Sequence, residues 1–589
     1  MNDNRSRIVL TDTLKTYTFD QDKMLDPLET VQRVRARFDR VNLDVLKETV
    51  RIDRGRLDIP VFISVCGGAA LRTIGTKKQM GKGATPAQAE ASALMELVER
   101  YSFFHFLKDH PFIAAEYRSV AHDAMPFHHI AEAVHHDPND LERALKALDG
   151  LPLKWAWGRN LTQGRDMLIP IDWFYEINQF NGPSAGNSLE EAILQGTCEV
   201  VERHVSALIC RGRLELPSIE PGSVKSEAAL ELIRKYRANG IELFMKDFTL
   251  GMGIPSIGAL AWDPSTFPKR SEIVFTAGTA TDPEKALIRA LTEIAQLAGD
   301  FDTDGEYVAS GLPKPRRLDE VLYVTQDHGP AVSIDQLPNI AEQNMRHEVE
   351  RCVQTLSGKG FELYVVNTTH PNIDVPAVYT IVPGCHFRER SKGTSVPFFA
   401  AKLIHQNLDV WEALERLQNL NRLYPDKYYL QYYEGVCYAG MGDQDSAIAK
   451  FLRALDLEPG PEDAPTIQCY LGICHKDMGD YSRAIQELEK ATVLDPECKE
   501  AHNAMGFCFF KLKEHEKAIE CFENVLRIDP GSAIDYANIA SNLRELGRID
   551  EAIRLYGMAL ELDAGIDFAR HNLELLTQRK EQMEPGANS

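Results

Sequence analysis

GKGATPAQAEASALMELVER (81–100), SAGNSLEEAILQGTCEVVER (184–203) and AGTATDPEKALIRALTEIAQ (277–296) repeat one pattern three times. In each, a run of small residues ends in a capping side chain, Thr85, Ser188 or Asp282, whose oxygen can accept from the free N–H groups at a helix start. Pro86 and Pro283 follow directly, at the first helical position, where a missing N–H is harmless. Ser188 with Glu191 predicts a capping box. Helices are therefore predicted over 86–106, 189–210 and 284–297.

Counted from their caps, the three helices are in phase. Gln88, Glu191 and Lys285 stand three residues on, and Ser92, Gln195 and Arg289 seven on. Glu96, Glu199 and Glu293 stand eleven on, and Glu99, Glu202 and Gln296 fourteen on. At about 100° per residue these offsets fall within roughly 80° of one another, so the polar side chains share one stripe. Around it lie Leu94, Leu97 and Val98, then Ile193, Val200 and Val201, then Leu287, Leu291 and Ile294. A helix apolar over most of its circumference is buried, and carboxylates on it are costly unless paired or metal-bound. The stripe therefore lines a site. Alternatively, each glutamate forms a structural ion pair with Arg100, Arg203 or Arg289, but three helices in phase weigh against this. Glu96, Glu99, Glu191, Glu199, Glu202 and Glu293 also outnumber those arginines, leaving an excess of carboxylate for cations to offset. Oxygen donors with no His or Cys on the stripe favour Mg²⁺, which takes a few carboxylates together with substrate phosphates. His204, just off the stripe, is read as packing.

Short β-branched runs at 61–65, 273–276 and 377–382 alternate with these helices, which makes the N-terminal two thirds an α/β domain. The C-terminal third is different. Pro425, Pro459, Pro496, Pro530 and Ala564 recur at 34, 37, 34 and 34 residues, and Ala413, Ala447, Ala484, Ala518 and Ala552 keep the same gaps. Small residues at Ala401, Gly435, Gly472, Gly506 and Ala540 add a third register. Five copies of this period resemble the tetratricopeptide repeat, two antiparallel helices per unit, with a three-residue insertion at GPEDAP. Such a solenoid binds peptides or partner proteins; the alternative is a stabilising or dimerising appendage, which admits a homodimer. The polar segment 386–397 is the expected junction, between an α/β domain over 20–390 and a repeat array over 394–580. Residues 301–345 read as a long irregular insertion, either a lid or a surface loop.

The whole chain of 589 residues carries 65 Lys and Arg against 87 Asp and Glu, a net charge of −22 that repels phosphate backbones. No nucleic-acid partner and no membrane surface is expected. No stretch has the roughly 18 to 20 consecutive apolar residues of a membrane span. The polar N-terminus lacks a secretory pattern, so the expected location is cytoplasmic. Eleven widely spaced cysteines, none in a CxxC pair, read as reduced buried thiols.

The three quoted stretches resemble the nucleotide-binding motifs of the YcaO superfamily: SxxxExxER from Ser92, GNxxxEAxxQxxxExxER from Gly186, and RxxTE from Arg289. IVPG at 381–384 is similar to a tetrapeptide late in that family, and the repeats are similar to the tail of one of its branches. The resemblance spans about residues 20 to 390. It implies that Glu96, Glu99, Glu199, Glu202 and Glu293 hold Mg²⁺ ions bridging ATP phosphates, with Glu191 joining them or remaining a cap. It further implies that Arg203 and Arg289 contact phosphate, and that Ser92, Asn187 and Gln195 contact the nucleotide. Lys23 and Thr30, seven apart, resemble a Lys and a Ser of the family's first helix. There is no P-loop sequence, and Lys82 in GKG is not read as part of one.

The activity so implied is ATP- and Mg²⁺-dependent phosphorylation of a peptide amide oxygen, which prepares the amide carbon for attack. The product is a modified peptide or protein, through thioamidation with a sulfur-delivery partner or through cyclodehydration. The C-terminus EQMEPGANS lacks the proline-rich ending of azoline-forming members, which weighs against cyclodehydration. The alternative is an accessory or scaffold protein for methylthiolation of a small-subunit ribosomal protein.

Overall fold

The three capped helices form in the computed structural model and run slightly further than predicted, as Pro86–Asp109, Leu189–Gly212 and Pro283–Ala298. Thr85 Oγ1 accepts from the Gln88 N–H at 3.2 Å, and Ser188 Oγ accepts from that of Glu191 at 3.1 Å. Asp282 Oδ1 accepts from Glu284 and Lys285 at 2.8 and 3.3 Å. The predicted capping box at Ser188 is only half made, because the Glu191 carboxylate turns to the N–H groups of Asn187 and Met24. The structure describes residues 5–41, 43–302, 314–327, 329–387 and 394–583. The chain divides into two units, Met1–Arg390 and Ser391–Ser589.

In the first unit, strands β1 (Leu46–Arg51), β2 (Val61–Cys66) and β3 (Lys78–Lys82) form an antiparallel sheet in that order. Strands β4 (Ile113–Ala115), β5 (Leu153–Asn160), β6 (Arg165–Pro170) and β7 (Pro183–Ala185) belong to a second sheet. Strands β8 (Glu242–Asp247), β9 (Ser256–Trp262) and β10 (Val274–Thr279) form a third, antiparallel sheet. Strands β11 (Tyr364–Asn367) and β12 (Ala377–Ile381) complete the second in the order β4–β5–β11–β12–β7, with β6 on β5.

Strands β3, β7 and β10 each lead into one of the capped helices, and the strand-to-helix geometry repeats. Gly81 and Gly278 both lie four residues before a cap. A Cβ on Gly81 would sit 2.0 Å from the Ala93 nitrogen and 2.5 Å from the Ala89 oxygen. One on Gly278 would sit 2.5 Å from the Ala290 nitrogen and 2.3 Å from the Ala286 oxygen. Strand and helix backbones therefore touch at the same two offsets in the first and third strand–helix motifs. In the second motif the roles are exchanged: Ser184 keeps its side chain and donates to the Ala192 oxygen at 2.8 Å, and the helix supplies the gap at Gly196. The apolar sides of the helices are buried, with Leu94, Leu97, Val200, Val201, Leu287 and Leu291 all at 0% exposure.

Of the predicted insertion, residues 303–313 and 328 lie outside the described residues. The described part contains short helical turns around Leu318–Thr325 and 334–336 and β-bridges from Val332 to Ile219 and from Asn344 to Leu14, and its Val321 and Val324 join a core with the helix at 189–212.

The second unit contains eleven helices among its described residues, from Val396–Asn407 to Asp567–Met583, which pair antiparallel as a tetratricopeptide array. The period has a steric cause. A Cβ on Gly472 would meet Leu488 at 2.6 Å, and Ala447, Ala484, Ala518 and Ala552 are all at 0% exposure where paired helices close. Pro425, Pro459, Pro496 and Pro530 fall just beyond helix ends, where a residue without an N–H cannot continue the ladder. Residues 388–393, within the predicted junction, lie outside the described residues. None of the eleven cysteines forms a disulfide, and ten of them are buried. Among the described residues no helix is long and apolar enough to cross a membrane.

Candidate functional site

The polar stripes of the three helices converge on one cavity of about 420 Å³ in the first unit. Its lining includes all six glutamates singled out in the sequence, Glu96, Glu99, Glu191, Glu199, Glu202 and Glu293. It also includes Lys23, Thr30, Ser92, Asn187, Gln195, Arg203 and Arg289. Equal cap-to-strand spacing is what brings them together: each helix starts at the same distance from its strand, so equal offsets project to equal depth. His204 stays outside the lining, buried, with its Nδ1 accepting from the His386 N–H at 2.9 Å.

The expected surplus of carboxylate is not present. Lys23, Lys78, Lys82, Arg100, Arg203 and Arg289 also line the cavity, so six cations face six glutamates. Lys78 and Lys82 come from β3 and Lys23 from the N-terminal segment, none of them on the helices from which the surplus was inferred. Lys82, set aside in the sequence because GKG is no P-loop, contacts Glu293. No helical period marks a strand lysine, so only the residue's place beside the first capped motif could have pointed to it.

The charges are arranged as loose pairs. Arg100 Nε lies 3.1 Å from Glu96 and 3.4 Å from Glu99, and Arg203 Nη2 is 3.6 Å from Glu199. The structural ion pairs weighed as the alternative are thus made by Arg100 and Arg203, while Arg289 Nη1 instead donates to Gln195 Oε1 at 2.7 Å. Glu202 Oε2 accepts from the Thr279 N–H at 3.0 Å, at the end of β10. Burial, then the neighbouring Glu96, hold the Glu99 carboxyl well above the ordinary glutamate range. Burial also raises Glu199, against the pull of Arg203. Lys82 is pushed down to about 7 by burial and by Arg289.

The N-terminal segment closes one side. Glu191, 4% exposed, accepts from the Met24 N–H at 3.0 Å and the Asn187 N–H at 3.2 Å, and lies 3.7 Å from Lys23 Nζ. Asn187 Nδ2 donates to Thr30 Oγ1 at 2.9 Å. Both Glu191 oxygens are therefore engaged in anchoring Lys23 and Thr30 to the cavity wall.

Among the described residues no three His, Cys, Asp or Glu side chains gather closely enough to hold a metal ion. Like charges separate when only arginines and lysine neutralise them. The donor set nonetheless fits hard divalent cations that take one or two carboxylates each and complete their shells with phosphate oxygens and water. Arg289 Nε and Asn187 Oδ1, buried atoms in the lining, lack a hydrogen-bond partner. A donor and an acceptor left over in a polar cavity suit a ligand carrying both kinds of group.

The family model of the YcaO cyclodehydratase, described as ATP- and Mg²⁺-binding, matches residues 80–386. Tetratricopeptide models match 407–464, 467–498 and 500–532. The ribosomal protein S12 methylthiotransferase accessory factor YcaO of Escherichia coli is 29% identical over 252 residues, 38% of this chain and 41% of that protein. A heterocyclase solved in complex with substrate and cofactor is 25% identical with a TM-score of 0.54, over 64% of this chain and 54% of that one. The YcaO protein of Methanopyrus kandleri, solved with AMPPCP and Mg²⁺, is 25% identical with a TM-score of 0.50, over 64% of this chain and 95% of that one. The chain thus spans about two fifths of the Escherichia coli relative and about half of the heterocyclase.

Proposed function

The chain belongs to the YcaO family, and from that premise we propose that its first unit binds ATP with Mg²⁺ and activates a backbone amide of a peptide or protein for modification. The observation that carries this is the cavity itself, where six glutamates on in-phase helices face six cations around about 420 Å³. Such a site accepts a triphosphate whose charge is cancelled by its own metal ions without acquiring net charge. Glu96, Glu99, Glu199, Glu202 and Glu293 would hold Mg²⁺, and Glu191 would remain the anchor of the N-terminal segment. Bound Mg·ATP supplies a phosphoryl group to the amide oxygen, turning a poor leaving group into a good one.

The chain's own residues do the positioning. Arg100 and Arg203 pair with Glu96, Glu99 and Glu199, and would turn toward anionic oxygens where Mg²⁺ took those carboxylates. Arg203 and Arg289 would meet phosphate, the latter through its unpartnered Nε. Asn187, held by Thr30 and by Glu191, offers its carbonyl oxygen to a donor on the nucleotide. Ser92, Gln195, Lys23 and Thr30 complete the polar contacts. Charge stabilisation by preorganised donors is the main catalytic term expected here.

Thioamidation, with sulfur delivered by a partner protein, is the finer reading, and the repeats would hold that partner or the substrate. The name of the Escherichia coli relative supports a second role, as an accessory factor in ribosomal-protein methylthiolation. Calorimetric titration of the full-length protein with AMPPCP, with and without Mg²⁺, tests the shared premise. Binding that requires Mg²⁺ is expected; absence of binding in its presence overturns the nucleotide site.

A further inference from the structure

We propose that the open edge of β3 is the docking strand for the peptide whose amide is activated, taking an extended segment that is acidic toward Lys77 and Lys78; this rests on the function proposed above. Strand β3 is hydrogen-bonded to β2 on one side, and among the described residues no strand pairs with its other side.

The register fixes which backbone groups are free to pair. Lys82 opposes Val61, Met80 opposes Ile63 and Lys78 opposes Val65. The Cys66 N–H donates to the Lys77 oxygen at 2.9 Å, which makes residues 77, 79 and 81 the ones bonded to β2. The N–H and C=O groups of Lys78, Met80 and Lys82 therefore point to the open edge.

That edge runs along the cavity. Lys78, Gln79, Met80 and Lys82 all line it. Successive side chains of a strand point to opposite faces, so lining by consecutive residues means that the cavity follows the strand's edge rather than covering one face. One face is closed by the helix Pro86–Asp109, which touches Gly81. At one end Lys82 contacts Glu293 inside the cavity; at the other Lys77 and Lys78 are exposed and make no ion pair among the described residues. A peptide added as a further strand gains main-chain hydrogen bonds at every second residue and carries its own amides, the groups to be activated, to the carboxylates. The two lysines meet acidic side chains on the same peptide.

The test uses the full-length protein and two short Thr-Glu alternating peptides, one with ordinary amides and one N-methylated at every second amide. Binding is read by fluorescence anisotropy, and protection of the Lys78, Met80 and Lys82 amides by hydrogen exchange. The ordinary peptide is expected to bind and slow exchange at these positions, and the N-methylated one to do neither. Lys78→Pro, which removes an outward N–H, is expected to weaken binding by about tenfold or more, and Lys78→Ala by less. No binding, binding without protection, or equal loss in both variants overturns the proposal. So does protection that grows with protein concentration without peptide, the mark of two copies pairing edge to edge. Should Lys78→Pro lower the melting temperature, the N-methylated peptide still decides the outcome. AMPPCP titration of the same protein reads the nucleotide site separately, so failure of one reading is distinguishable from failure of the other.

Discussion

Arg289 and Gln195 meet at 2.7 Å across the cavity, and each stands seven residues beyond the cap of its own helix. The contact ties the second capped helix to the third and holds a guanidinium in the lining while leaving its Nε without a partner. A neutral amide is a weak enough tether to give the arginine up to phosphate. Gln195→Glu would replace it with an ion pair. AMPPCP affinity is expected to fall by about tenfold while the melting temperature is held or raised, because a carboxylate adds charge–charge attraction to a hydrogen bond whose acceptor is now neutral.

Glu199→Gln and Glu293→Gln each remove one carboxylate without changing shape. Mg²⁺-dependent AMPPCP binding is expected to be lost in both, with far-ultraviolet circular dichroism unchanged. Reversal at Glu551, a half-buried repeat residue paired with Arg548 at 2.7 Å, should leave nucleotide affinity as it was. Calorimetry on the three proteins checks this, and retained affinity in both glutamine variants would sink the metal assignment.

Glu99 and Glu199 give the unliganded protein a specific pH dependence. Their folded-state carboxyls are raised, so the folded chain holds protons that the unfolded chain has released. Their contribution to stability is complete below the ordinary glutamate value and is lost as pH rises through the raised values. Urea midpoints of the apo protein should fall over that window, and those of Glu99→Gln should fall less. Mg²⁺ must displace the same protons, so binding in that window should release protons, seen as a dependence of the calorimetric heat on buffer ionisation enthalpy.

Lys82 competes with cations for Glu293. In Lys82→Met the carboxylate loses its neighbour, and affinity for Mg²⁺ alone is expected to rise several-fold. Titration of Mg²⁺ in the absence of nucleotide, wild type against variant, measures it.

Gly81→Ala and Gly278→Ala each push a methyl group into helix backbone. Both should destabilise by roughly 1–3 kcal/mol or more in urea unfolding, because neither strand nor helix can give way locally. Gly222→Ala, with open space around the added carbon, serves as the unperturbed comparison.

What the sequence alone determined was periodic or local. Caps at Thr85, Ser188 and Asp282 set the helix starts, and phase relative to those caps put Glu96, Glu199 and Glu293 at one depth. The 34-residue rhythm of alanines and prolines marked the repeats. Each is a property of neighbours in the chain, and so each is written in spacing. Tertiary structure alone decided the charge balance of the cavity, because Lys78 and Lys82 lie on a strand, where no helical stripe marks them, and Lys23 arrives on a distant segment anchored by Glu191. It also turned Glu191 from a cap to that anchor, paired Arg289 with Gln195, and left one edge of β3 open beside the site. These depend on which strand, loop and helix end pack together across long stretches of chain, and no residue spacing records that.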